Sequence, residues 1–217
     1  MTATFPARGS ALRIPMMSVE ETQAIAVREG LPEIMAPLSV FRVLLHHPAL
    51  ARSLGGLLKM LLLKMLLLKM LLLKMLLLEG NYLDGRLREL IIMRIGWLTG
   101  SNYEWTQHWR FAGDMGNPED VLLACRSWES ATVLADADRA VLRATDETME
   151  SGWISDATWT ECERHIESVQ ARLELVVAIG NWRMFSQLLL TLRIPLKEGL
   201  EDWMPDGLRP ARAPLDF

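Results

Sequence analysis

Cysteine is nearly absent from this chain of 217 residues: Cys125 and Cys162 are the only two, 37 positions apart, forming neither a CxxC pair nor a metal-ligand spacing. A redox centre built on adjacent thiols is thereby excluded, and both are expected to be inert core thiols. Histidine is scarce as well. The pair His46 and His47, then His108 and His165, are too scattered to suggest a zinc site, so no metal is expected. There is no basic excess either. Lys and Arg number 23 against 27 Asp and Glu, and the net charge of −4 excludes the positive footprint of a nucleic-acid partner. The opening MTATFPARGSALRIPMM has no continuous apolar core of signal-peptide length, which leads to the expectation of a cytoplasmic protein. Finally, no alternating period-two run of useful length occurs. The expected fold class is all-α.

What is abundant is leucine, concentrated in one place. From Leu57 to Gly80 the chain reads LLKM, then LLLKM three times, then LLLEG. Leu, Lys and Met are strong helix formers, so a helix is expected over 57–79, one unusually long element of roughly 1.5 Å rise per residue. Its period is wrong for an amphipathic helix. At about 100° per residue the four lysines Lys59, Lys64, Lys69 and Lys74 spiral around the axis and leave no clean apolar stripe. Four mid-helix lysines, each costing roughly 3 kcal/mol on insertion, argue against a membrane span. A tandem expansion of one LLLKM unit inside a pre-existing helix accounts for the run best. Three units, 15 residues, look inserted.

The rest of the chain fits a single domain over 1–217. An extended arm is expected over 1–17, and a first helix opens at Ser18 with Glu21 completing a capping box. A second runs near Leu38 to His46, and a third starts near Pro48 and enters the repeat. Asp84 caps the next helix, RLRELIIMRIGWLT, which Gly100 ends; Ser101 caps its successor, so that 84–115 form a helical hairpin. Asn117-Pro118 opens a short helix with Pro at its first position. Others follow from Asp136 or Asp138, from Ser155, and from about Ala171 to Leu192. Four prolines after Ile194 forbid a regular helix, so 194–217 is expected to be a tail wrapping a neighbouring surface or partly disordered.

Glu89 has Ile92, Met93 and Gly96 three, four and seven places on, an apolar face on which a carboxylate needs a partner or a raised pKa. A surface pair with Arg86 is the plainer alternative. Ser101, Glu104 and His108 stand at offsets 0, 3 and 7 and wind to within about 60° of one another, one polar stripe beside Trp105, Trp109 and Phe111. A histidine near a carboxylate and a hydroxyl can act as a general base. Yet Ser101-x-x-Glu104 is also a capping box, and Glu104 with His108 is also an i,i+4 pair.

The stretch RELIIMRIGWLTGSNYEWTQHWRFA, 88–112, resembles the core helical hairpin of the carboxymuconolactone decarboxylase family, which includes the AhpD-like alkylhydroperoxidases. HHPALA at 46–51, ADRAVLRATDETMESGWISDATW at 137–159 and IPLKEGLE at 194–201 read like the same family. In its peroxidase branch a Glu is followed by a CxxC and a His. The resemblance maps the Glu to Glu89 and the His to His108, but puts Ser101 and Glu104 where the two cysteines belong. Neither can cycle through a disulfide, which excludes peroxidase chemistry by that route. The Glu104-Trp105-x-x-His108 pattern is similar to the decarboxylase branch instead.

The resemblance implies acid/base chemistry on a small carboxylated lactone or related acid. His108 would move a proton at carbon, Glu89 assist it, and Glu104 tune or anchor the histidine. Ser101, Arg88 and Arg94 would bind substrate, a guanidinium holding its carboxylate. No cofactor is implied. A homo-oligomer is, with the repeat helix packing between subunits. The alternative is a non-catalytic oligomeric scaffold that kept the fold after losing its redox pair.

Overall fold

A helix buried on every side must lie at the centre of a protein, and the stretch from Leu87 to Gly96 is buried at each position. The computed structural model describes residues 12–66, 82–196, 199–211 and 213. Within it, α4 (Gly85–Thr99) is the axis against which α5 (Asn102–Asp114), α7 (Asp136–Ser151) and α9 (Val169–Leu192) pack. Ahead of it come α1 (Val19–Glu29), α2 (Ser39–Leu44) and α3 (Pro48–Leu66), which form their own layer; α6 (Glu119–Ala124) follows α5, and α8 (Asp156–His165) packs on α7. The described residues contain helices and turns but no strand, as expected.

Local signals set most boundaries. Ser18 and Glu21 form the reciprocal capping box of α1, and Asp84 accepts from the Arg86 and Leu87 amides to start α4. Ser155 and Ser168 cap α8 and α9. Gly100 ends α4 at φ 75°, a left-handed conformation that a side chain would strain. The chain then reverses into α5, and the crossing is close. A Cβ on Gly96 would lie 3.0 Å from the Trp105 amide nitrogen and 3.4 Å from the Glu104 Cβ, so glycine at this position lets α5 lie against α4.

Three expectations need correction. The second helix is shorter than anticipated, ending at Leu44 before two turn residues. Pro118 stands at the N-cap rather than the first helical position. Ser101 stands at the N-cap of α5 but its side chain caps nothing, because Glu104 turns inward and the capping box does not form. The described part of the tail docks: Trp203 is buried, its amide donates to Asn102 Oδ1, and Trp105 Nε1 donates 2.7 Å to the Met204 carbonyl. The LLLKM run from residue 67 onward, its proposed packing between subunits, and residues 1–11 of the arm lie outside the described residues. One helix among them, α9, is long and apolar enough to cross a membrane by length and composition, but one of its faces is core against α4.

Candidate active site

The α4–α5 hairpin brings Glu89 and His108 together, 19 positions apart in sequence. Glu89 is fully buried, and its Oε2 lies 2.7 Å from His108 Nδ1. The pairing fixes the tautomer of a neutral ring, with Nδ1–H toward the carboxylate. Arg88, also buried, lies on the far side with its Nε 3.6 Å from Glu89 Oε1. That is an ion pair without hydrogen-bonding geometry. Arg88 Nε and Nη2 and Glu89 Oε1 consequently have no hydrogen-bond partner although all are buried. Leaving such atoms unmatched typically costs about 1–3 kcal/mol each.

His108 forms part of the wall of a half-open cavity of about 100 Å³. Phe111 and Trp182 flank the ring edge-on at centroid distances of 5.7 and 6.0 Å. The remaining wall is largely apolar, with Val40 and Phe41 from α2, Leu58 from α3 and Phe185 from α9; its other polar members are Glu104, Tyr103 and Gln107. With Nδ1 engaged, Nε2 is the nitrogen left for a ligand. No described lining residue carries a cationic side chain apart from a protonated His108.

Glu104 belongs to the same wall but not to the histidine. Its Oε2 is hydrogen-bonded with the Ser186 hydroxyl of α9, and Ser186 Oγ is in turn 3.1 Å from the Thr99 hydroxyl. Burial pushes the Glu104 carboxyl up to about 8, against the lowering that hydrogen bonds donated to its ionised form by Ser186, and by the Ser101 hydroxyl outside good geometry, would bring. Near neutral pH Glu104 is therefore predominantly an uncharged acid. The carboxylate that holds His108 is Glu89.

Of the six residues singled out from sequence, His108 and Glu104 line the cavity and Glu89 stands directly behind the histidine. Arg88 is beside Glu89, and Ser101 is beside Glu104; neither lines the cavity. Arg94 is elsewhere. Its Nε and Nη2 each donate 2.7 Å to Asp146, and its Nη1 donates to the Cys125 and Arg126 carbonyls, so its donors are already committed. It is a structural residue, not a free anion clamp. Sequence reasoning missed Ser186 and Thr99. A lone hydroxyl on the buried face of α9, one turn from Trp182 and Leu189, was the available signal for Ser186. The two cysteines are buried, apart, and far from the thiol range of a reactive pair, Cys125 pushed up to about 12 and Cys162 to about 11 by burial. Among the described residues no group of acidic, histidine and cysteine side chains could hold a metal ion.

Comparison with known proteins bears on the fold and on one segment. Residues 68–147 match the carboxymuconolactone decarboxylase family. No curated protein matches the chain. Among solved structures, the alkylhydroperoxidase AhpD core of an uncharacterised peroxidase-related protein from Ralstonia eutropha JMP134 superposes with a TM-score of 0.69 at 13% identity, covering 91% of this chain and 97% of its own. An uncharacterised peroxidase-related protein from Silicibacter sp. TM1040 gives 0.63 at 11% identity, covering 92% and 97%. The debrominase Bmp8, as a cysteine-to-alanine variant in complex with 2,3,4-tribromopyrrole, gives 0.61 at 15%, covering 88% and 95%. At such identities these likenesses establish the fold alone.

Proposed function

From the premise that this chain is a carboxymuconolactone decarboxylase/AhpD-like protein without the peroxidase thiol pair, we propose that it is an acid/base enzyme acting on a small carboxylated lactone or related acid. The observation that carries the reading is the Glu89–His108 pair at 2.7 Å, set into the wall of an apolar cavity with buried polar atoms left unmatched behind it. A histidine held by a buried carboxylate in the wall of a cavity is an arrangement that acid/base chemistry uses.

In this reading His108, in its protonated form and oriented by Glu89, presents Nε2–H to the substrate. As the bond from the ring carbon to the carboxylate breaks, CO2 leaves and the electron pair spreads toward the lactone carbonyl. His108 delivers its proton to the ring carbon, ends neutral, and is recharged from solvent. The apolar wall favours this direction, because a carboxylate held there with no cation beyond His108 loses its concentrated charge as the reaction proceeds. Glu104, uncharged, adds no second anion to repel it. The cavity is smaller than the roughly 300–1,000 Å³ of common ligand sites, and suits the reacting end of a small molecule.

The test is CO2 release from carboxymuconolactone and related small carboxylated lactones by the wild-type protein. Turnover of at least one is expected. No turnover of any, together with no ligand protection against thermal unfolding, would favour the non-catalytic scaffold instead. The cytoplasmic assignment and the homo-oligomer, with the leucine repeat between subunits, belong to the same proposal; sedimentation of full-length protein beside a variant lacking 15 repeat residues tests the assembly.

A further inference from the structure

Three hydroxyl and carboxyl groups lie in series between the cavity and the α4 backbone, and their hydrogens can be counted. Thr99 has a single hydroxyl proton. At 2.7 Å the Ile95 carbonyl, one turn back on α4, is its nearest acceptor, whereas Ser186 Oγ is at 3.1 Å. With that proton given to Ile95, Thr99 can only accept from Ser186. Ser186 also has one proton. If it goes to Thr99, the hydrogen bond between Ser186 and Glu104 Oε2 needs a proton from Glu104. If Glu104 is ionised, Ser186 donates to it, and the Thr99–Ser186 approach is left with no proton between two oxygens. All three contacts are hydrogen bonds only when the carboxyl carries its proton.

We propose that Thr99 and Ser186 are positioning residues that hold Glu104 as a protonated acid on the cavity wall, through the directional chain Glu104 to Ser186 to Thr99 to the Ile95 carbonyl. Burial of Glu104 acts in the same direction and outweighs the lowering that a hydrogen bond donated by Ser186 to the ionised form would bring. Among the described residues the charged or titratable groups around Glu104 are few. On α5 itself Tyr103 and His108 share its cavity; behind His108, on α4, are Glu89 and Arg88; the lining residues from α2, α3 and α9 are all uncharged. The function of the chain is thus to keep a second anion out of a cavity that already has Glu89 behind its histidine, so that an anionic substrate can enter. That catalytic consequence rests on the acid/base reading above. The chain itself does not.

The test is an NMR titration of protein labelled with 13C at the glutamate carboxyl, with Glu104→Gln identifying the signal. Wild-type Glu104 is expected to be protonated at neutral pH. Thr99→Val removes the acceptor for the Ser186 proton, which then turns to the Glu104 carboxylate and favours its ionised form. The titration should fall by about one pH unit, the scale of one hydrogen bond. Thr99→Ser, which restores the hydroxyl, should bring it back. A residue needed only for packing would not produce that pattern. A wild-type Glu104 ionised at neutral pH, or a Thr99→Val titration equal to wild type, would overturn the proposal. The first outcome is decisive even if Thr99→Val fails to fold, and both are read whether or not any lactone is turned over.

Discussion

Helix α4 carries two buried arginines little more than a turn and a half apart, and they are treated in opposite ways. Arg94 makes a bidentate pair with Asp146, donates to two backbone carbonyls, and shares Asp146 with Trp128 Nε1, so its surroundings are matched atom for atom. Among the described residues Arg88 pairs with Glu89, at 3.6 Å, with Nε and Nη2 lacking a hydrogen-bond partner, and Glu89 gives its other oxygen to His108. The same helix, depth and residue type give one complete network and one incomplete network. The incomplete one is at the cavity. The difference teaches that burial of charge by itself marks neither structure nor function, and that two arginines at one depth can differ in how fully their polar atoms are matched.

The comparison can be broken most forcefully at Arg94. Arg94→Ala leaves Asp146 without its main partner and removes a well-packed stem, so unfolding in denaturant should show a loss of about 3–5 kcal/mol. A loss below about 1 kcal/mol would mean that the matched network is not structural. A smaller effect is expected from Glu104, and it depends on pH. Because its carboxyl is raised from 4.5 to about 8 in the fold, the folded state keeps a proton that the unfolded chain releases in that window. Stability is therefore highest below the unfolded value and declines as pH rises toward about 8, by a few kcal/mol at most. Glu104→Gln, which is always neutral, should flatten the decline in melting temperature across that range. The smallest effect belongs to the tail. Asp206, mostly exposed and held down to about 2 chiefly by its hydrogen bonds with Arg126, should cost less than about 1 kcal/mol as Asp206→Asn, with loosening of the Trp203 dock visible in tryptophan fluorescence.

How much of this was legible in the sequence follows the range of each interaction. The caps at Ser18, Asp84, Ser155 and the turn at Gly100 depend on residues within a few positions, and the sequence shows them. The Glu89–His108 pairing spans one hairpin, and came from the family pattern rather than from spacing, which left it level with a surface pair. Ser101 with Glu104 satisfied the capping-box spacing, but tertiary burial overrode it: a hydroxyl 82 positions away on α9 took the carboxyl instead. Arg94 looked like Arg88 in sequence. Only the approach of α7 and of the chain after α6 distinguishes them, and nothing local encodes those distances.

The central claim is that the incomplete network at the cavity is a proton-transfer site, and turnover by His108→Ala, measured per folded molecule on a carboxylated lactone that the wild type decarboxylates, tests it most directly. The account predicts a fall of about 10²–10⁴-fold, the usual worth of a positioned acid or base, with the cooperative unfolding transition retained. Turnover equal to wild type would contradict it.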